Sequence, residues 1–154
     1  RLKKIETENL AGVILAAAGM KRLGYAHKIA QYLPVEFMLP AVGQGALGLQ
    51  IRKTDSALAG VIAKLNHAQT AAEITAERSY LRALGGGCRL PIAAFCKLEG
   101  AQLSLTGLVA APNGISVIRD TVRGAMEEAE ELGTRLAGII MEKGGKKLLN
   151  LVQQ

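Results

Sequence analysis

The sequence predicts an α/β segment followed by a small α+β domain whose helices pack on one face of a short antiparallel sheet. In the first part, an apolar run at 11–17 leads into a helical composition at 21–32, which is typical of a strand and helix in a doubly wound fold. In the second part, turn-forming residues separate three β-prone runs, at 92–98, 102–109 and 115–122. An amphipathic helix is predicted after them.

The N-terminal elements follow from apolar runs and helix breakers. Residues 2–9 are predicted to be the end of a helix, and 11–17 a strand buried on both faces of a parallel sheet. That strand ends at Gly19, and a helix is predicted from Lys21 to Tyr32. Pro34 closes the helix because its ring cannot continue it and restrains the residue before it.

A glycine-rich stretch at 43–48, GQGALG, formally satisfies the GxGxxG dinucleotide pattern. Such a site needs a strand before the glycines and a helix N-terminus after them. Here the alternating residues 47–52 predict a strand after the glycines, and the next helix starts only at the cap formed by 54–56. A hinge or close backbone crossing is therefore favoured over a nicotinamide or flavin site.

Two helices are predicted before the sheet. One spans about 56–65, and the other begins with a capping box at Thr70–Glu73. The apolar residues of the second helix fall on one face up to a stop at Gly85, namely Ile74, Leu81 and Leu84.

One amphipathic helix is predicted after the sheet, at Glu127–Lys143. Gly144-Gly145 stops it. Its inward residues are Ala129, Leu132, Leu136 and either Ile139 or Ile140.

The composition limits which residues can form the core and which cofactors the chain could bind. The chain has three Tyr, two Phe and no Trp, so its core must be built from Ala, Leu, Ile and Val. Two cysteines, Cys88 and Cys96, give neither a disulfide framework nor a four-ligand metal set. No metal is predicted, and a reducing, cytoplasmic setting is favoured.

The formal net charge of +6 favours an anionic partner, which could be nucleic acid, an acidic membrane surface or a polycarboxylate. Nucleic acid is disfavoured because aromatic residues for base stacking and dense Lys/Arg runs are scarce. The basic start and apolar run at 10–20 mimic a secretory signal, but Glu6 and Glu8 interrupt the basic part and the run is too short to span a bilayer. Without an initiator Met, the chain is expected to begin within a longer protein.

Three motifs carry the most specific signal: LAAAGMKRLG at 15–24, LPAVGQGALG at 39–48, and ER at 77–78 followed by LRALGGGCRLP at 81–91. In order and spacing they resemble the porphobilinogen deaminase family over essentially the whole chain, matching its C-terminal half. Three positions depart from the family's usual pattern, namely Met20, Gln50 and Gly85. None of them removes a group that the chemistry needs.

Cys88 follows three glycines and precedes Arg89, and a neighbouring cation favours the nucleophilic thiolate. From the residues alone, an inert buried cysteine is the alternative. The resemblance implies that Cys88 forms a thioether to a dipyrromethane cofactor, onto which substrate pyrroles are added. Cys96, inside a predicted strand, is expected to be a buried core residue.

The resemblance also implies which residues bind ligand carboxylates and which residues line the cleft. Each added pyrrole brings an acetate and a propionate, and the planar guanidinium of Arg holds carboxylates bidentately. Arg1 and Arg22 are thereby expected to bind substrate or cofactor carboxylates, with solvated surface charge as the alternative. Ala16, Gln44 and Gly45 are expected to line the cleft.

The family's reaction condenses four porphobilinogens into hydroxymethylbilane, with loss of ammonia through an electrophilic azafulvene. That chemistry calls for a carboxylate to steady the pyrrole cation and manage protons. The family's catalytic aspartate belongs to the N-terminal domain, and no motif match places it here. Asp55 and Asp120 are interpreted as a helix cap and a strand-end residue, so no catalytic residue is predicted in this chain, which is expected to be inactive alone.

Three regions are expected: 1–45 as part of a doubly wound, periplasmic-binding-protein-like domain, 46–66 as a segment returning to an absent first domain, and 67–154 as the α+β domain carrying Cys88. The expected partners are porphobilinogen, the growing oligopyrrole and the missing N-terminal domain, with neither nucleic acid nor membrane. Strands without sheet partners should leave apolar edges exposed. A noncatalytic carboxylate-binding module of the periplasmic-binding-protein type is the alternative function.

Overall fold

The computed structural model describes residues 1–86 and 90–151. The chain divides into two compact units, Arg1–Phe37 and Met38–Gln154. The first unit contains two short helices, α1 (Lys3–Thr7) and α2 (Ala17–Arg22), followed by a 3-10 turn at Ala26–Lys28.

Two of the elements predicted in the first unit are wrong. The apolar run 11–17 forms no strand, because a buried parallel strand needs neighbours for its backbone groups and the described part of the unit supplies none. The helix predicted at 21–32 is also wrong. Helix α2 ends at Arg22, and Gly24 takes a left-handed conformation (φ +77°) that continues no right-handed helix. The helix predicted at the N-terminus is confirmed as α1.

The second unit begins with irregular chain and then forms helix α3 (Ser56–Ala63). Asp55 caps this helix as predicted, its carboxylate accepting the Leu58 N–H at 3.0 Å. The strand predicted at 47–52 is wrong. Leu47 is 93% exposed, so no sheet face holds the alternating apolar side chains of this segment.

Helix α4 (Ala68–Ala83) starts two residues before the predicted capping box, which is wrong. His67 is the N-cap, and its Nδ1 accepts the Thr70 N–H at 3.3 Å. Glu73 instead accepts hydrogen bonds from the Gln69 side chain and from the backbone of Leu98. The inward face was also predicted only in part, since Leu84 is buried but Ile74 and Leu81 are half-buried.

The predicted three-stranded meander is confirmed. Strands β1 (Ile92–Glu99), β2 (Gln102–Ala110) and β3 (Val117–Gly124) pair antiparallel in the order β1-β2-β3. Cys96 faces Leu105, which in turn faces Val122, and all three side chains are buried. Alternate residues thus point to a single core face.

Helix α5 (Ala129–Ile140) follows a 3-10 turn at Met126–Glu128 and packs with α4 against that face. Its predicted inward residues are confirmed, with Ile140 rather than Ile139 fully buried. The predicted stop at Gly144-Gly145 is a kink instead. Gly144 (φ +103°) lies in a π-helical turn, and helix α6 (Lys146–Asn150) continues beyond it.

The α4–α5 contact depends on Gly133. A Cβ built there would overlap the Ala76 carbonyl oxygen and lie 2.6 Å from the Tyr80 nitrogen, both backbone atoms of α4. Throughout the described ranges, 1–86 and 90–151, no helix combines the length and apolarity needed to cross a bilayer.

Gly133→Ala should lower the free energy of unfolding by about 2–4 kcal/mol, because the added methyl group forces the two helices apart. Gly138 lies in the same helix, and nothing stands within 4 Å of the position that its Cβ would take. Gly138→Ala should therefore raise stability by about 0.5–1 kcal/mol through helix propensity. Urea denaturation of both variants checks this, and equal effects would contradict the tight helix crossing.

Candidate functional site

The chain approaches Cys88 through the C-terminal cap of α4. The Gly85 N–H donates to the Arg82 carbonyl and the Gly86 N–H to the Leu81 carbonyl, both at 2.9 Å. Gly85 has a φ of +67°. Left-handed Gly with these paired bonds is a Schellman motif, so the first stem of the Cys88 loop has a fixed direction. Residues 87–89, and with them Cys88 itself, lie outside the described residues.

The second stem of the loop is fixed by the sheet. The Ala110 N–H at the end of β2 donates to the Pro91 carbonyl at 3.0 Å. The first stem packs against this one, since a Cβ on Gly86 would overlap Leu81 Cδ1 and lie 3.1 Å from Ile92 Cδ1. The two stems, which end at Gly86 and begin again at Pro91, are therefore held close together.

Gln44 and Gly45 lie on a tight turn that we call the Gly43 turn (residues 41–44, followed by Gly45). The Gln44 N–H donates to the Ala41 carbonyl at 3.2 Å, and Gly43 adopts a φ of +75°, which favours glycine. Val42 packs against the core of the α+β domain, whereas Gln44 and Gly45 are exposed. The turn is thus attached to the domain through Val42, while Gln44 and Gly45 face solvent.

Glu77 joins this turn to the α+β domain. Its side chain is buried, and each carboxylate oxygen accepts one backbone N–H. Oε2 accepts the Gly43 N–H at 2.8 Å, and Oε1 accepts the Cys96 N–H at 2.9 Å. Burial raises the pKa of Glu77, while the two backbone hydrogen bonds act against that rise.

Glu73 lies one helical turn earlier on α4 and accepts a hydrogen bond from the backbone of Leu98, as Glu77 does from the backbone of Cys96. Its Oε1 accepts the Leu98 N–H at 2.9 Å. Strand β1 is an edge strand, so these two amides have no neighbouring strand on that side. The two carboxylates therefore cover the free edge of β1.

Cys96 is a buried, free thiol on β1. Burial, together with the negative charges of Glu77 and Glu73, raises the pKa of Cys96 to about 12. The thiol is protonated at neutral pH and is a poor nucleophile. This agrees with its predicted position inside a strand.

The remaining candidate residues lie in the first unit. Arg22 is the exposed last residue of α2, and Ala16 is the exposed N-cap of that helix. Arg1 is exposed and precedes α1, where its carbonyl accepts the Lys4 N–H. The structure thus brings Ala16 and Arg22 to the two ends of one short helix.

Glu77 and Arg78 were recognised in the sequence only as part of a motif, without a role. The signal available was an acidic residue inside an otherwise inward helical face, four residues after another acid. Arg78 is exposed beside the Gly43 turn, its Nε 4.0 Å from the position a Gly43 Cβ would take.

Two family models match the chain. Residues 1–60 match "porphobilinogen deaminase, dipyromethane cofactor binding domain", and residues 71–142 match "porphobilinogen deaminase, C-terminal domain". The second segment contains Cys88. It spans most of α4, which begins at Ala68, together with the three strands and α5.

Similar proteins named porphobilinogen deaminase occur in several bacteria. The one from Pelobacter propionicus is 46% identical over 154 residues, all of this chain and 50% of the relative. That from Geotalea uraniireducens is 46% identical over the whole chain and 48% of the relative, and that from Syntrophus aciditrophicus 46% over 97% of the chain and 49% of the relative.

The chain spans about half the length of these curated relatives. Both family models and the relatives agree on one family name along its length. The chain therefore belongs to the porphobilinogen deaminase family, of whose members it matches the C-terminal part.

Proposed function

We propose that this chain is the C-terminal part of a hydroxymethylbilane synthase of tetrapyrrole (heme) biosynthesis. This transferase joins four porphobilinogens, with loss of ammonia, on a dipyrromethane held by Cys88. The observation that carries the proposal is the agreement in family along the chain, together with the anchored stems at Gly86 and Pro91 on either side of Cys88 in the sequence. A dipyrromethane cofactor is a property of the family.

The two cysteines differ in a way that favours Cys88 as the attachment point. Cys96 is buried and its pKa is raised to about 12, so it is protonated under physiological conditions. Cys88 is followed by Arg89, whose positive charge favours the thiolate. When bound, the dipyrromethane supplies the pyrrole to which the first substrate unit is joined.

Arg1 and Arg22 are proposed to bind the carboxylates of substrate and cofactor. Both side chains are exposed, and a product that gains acetate and propionate groups at every addition needs cations along its path. Ala16, Gln44 and Gly45 are proposed to line the cleft. Their exposure at the start of α2 and on the Gly43 turn is compatible with that role.

We propose no catalytic residue within this chain. Asp55 is engaged as the cap of α3. Asp120 lies within β3, where a hydrogen bond from Lys143 lowers the pKa of its carboxyl and keeps it ionised as a structural ion pair. The carboxylate that manages protons is therefore assigned to the N-terminal domain of the enzyme, and the chain alone is expected to be inactive.

The finer domain organisation is part of the same proposal. Residues 1–45 would complete a periplasmic-binding-protein-like domain, 46–66 would return to the first domain, and 67–154 would carry the cofactor. The free thiol of Cys96 favours a reducing, cytoplasmic compartment. Large apolar side chains exposed between 46 and 66 support contact with another part of the enzyme: Leu47, Leu49, Leu58, Val61 and Leu65.

Thiol accounting on the full-length enzyme tests the attachment point. Intact mass should exceed that of the polypeptide by two linked pyrroles, and Cys88→Ser should remove the excess. In native protein at mildly alkaline pH, iodoacetamide should leave Cys96 unlabelled because it is buried and protonated. After denaturation Cys96 should be labelled while Cys88 stays blocked. If both were labelled in enzyme that turns over porphobilinogen, the attachment proposal would be wrong, and reversible ligand binding without turnover would favour the carboxylate-binding module.

The 154-residue chain mixed with porphobilinogen should give no uroporphyrin fluorescence after acid oxidation, whereas the full-length enzyme should give a strong signal. Turnover by the chain alone would mean that the proton-managing group lies among these residues and that its assignment to the N-terminal domain is wrong.

Arg22→Gln in the full-length enzyme should raise KM for porphobilinogen about tenfold, because a charge-assisted pair with a substrate carboxylate is lost. Arg22→Lys should have a smaller effect. Lys21→Gln is the matched control: Lys21 is exposed on the same helix, but its ammonium lies over the Tyr32 ring, 5.1 Å from the centroid. Steady-state kinetics decide, and equal changes at both positions would indicate a general charge effect.

A further inference from the structure

Three backbone segments meet at one buried side chain. Glu77 belongs to α4, whose C-terminus forms the first stem of the Cys88 loop. One of its oxygens binds the amide of Cys96 on β1, the strand that begins at the second stem. Its other oxygen binds the amide of Gly43, 34 residues earlier in the chain.

The hydrogen bond from Gly43 to Glu77 depends on an unusual backbone conformation. Gly43 holds a positive φ, and the residue after it starts the exposed part of the turn. The Gly43 N–H is part-buried, and an N–H withdrawn from water without a partner is costly, so an acceptor at this point favours the observed turn. The carboxylate of Glu77 is that acceptor, at 2.8 Å.

A comparison of Glu77 with Glu73 distinguishes the binding of the β1 edge from the binding of the Gly43 turn. Both acids accept an amide of the β1 edge, and only Glu77 of the two also accepts an amide from outside the α+β elements. Covering the strand edge therefore needs one oxygen of each acid. The second oxygen of Glu77 links the Gly43 turn to the domain.

We propose that Glu77 is a positioning residue that holds the Gly43 turn in register with both stems of the Cys88 loop. It fixes where Gln44 and Gly45 stand relative to the chain that carries the cofactor cysteine. This role in catalysis rests on the function proposed above, whereas the contact itself does not.

Hydrogen–deuterium exchange on the full-length enzyme tests the contact. In Glu77→Met, which keeps the length of the side chain but has no oxygen acceptor, the amides of Gly43 and Cys96 should exchange at least about tenfold faster. Glu73→Gln is the matched control and should leave the Gly43 amide unchanged. Unaltered exchange at Gly43 in Glu77→Met would overturn the proposal.

Kinetics test the consequence for catalysis. In Glu77→Met, and to a smaller degree in Glu77→Gln, kcat/KM per folded, cofactor-loaded molecule should fall about tenfold to a hundredfold through misplacement of the turn. Glu73→Gln should stay within about twofold of the wild type. Intact mass counts the loaded molecules, and circular dichroism counts the folded ones.

The outcomes separate this inference from the proposed function. A purely structural role would lower the melting temperature and leave kcat/KM per folded, loaded molecule unchanged, which would overturn the inference. A wild-type enzyme without porphobilinogen turnover would instead overturn the proposed function, and the exchange pattern would still decide whether Glu77 holds the turn.

Discussion

The free edge of β1 imposes the constraint around which the α+β domain is arranged. An edge strand against a helix carries N–H groups that neither a neighbouring strand nor water satisfies, and each buried amide without a partner costs free energy. Glu73 and Glu77, one helical turn apart on α4, match the two-residue spacing of Leu98 and Cys96 on the strand. The helix and the strand are thereby fixed in register along their length as well as packed face to face.

This arrangement has an electrostatic consequence. Burial raises the pKa of Glu77, so its folded pKa lies above the unfolded value. The contribution of this group to the free energy of unfolding is fully present below the unfolded pKa and declines as pH rises through the folded pKa. The same two carboxylates help to raise the pKa of Cys96 to about 12. Cys96 is thus kept protonated and unreactive, in part by the two acids that bind the edge of β1. Cys88, in contrast, is followed in the sequence by Arg89.

Local signals predicted the parts of the fold that depend on local physics. Alternating apolar residues and turn residues predicted the three strands within two residues of their bounds, and a 3.6-residue period predicted the buried side of α5. The strands predicted at 11–17 and 47–52 are wrong because a strand also needs partners, which no local pattern supplies. Likewise, the contact from Glu77 to Gly43 joins residues far apart in sequence, so the motif revealed both residues without revealing that they meet.

Apolar side chains are buried to very different degrees before and after the start of α4. From α4 onward, Tyr80, Leu105 and Leu136 are sealed in a core formed by two helices and three strands. Before α4, Leu47 and Leu65 stand in solvent. A domain with its own core can hold both stems of the Cys88 loop in place, whereas a segment with exposed apolar residues gains free energy only when another surface covers it. Glu77 links the Gly43 turn, which leads directly into that segment, to the α+β domain through its hydrogen bonds to the amides of Gly43 and Cys96.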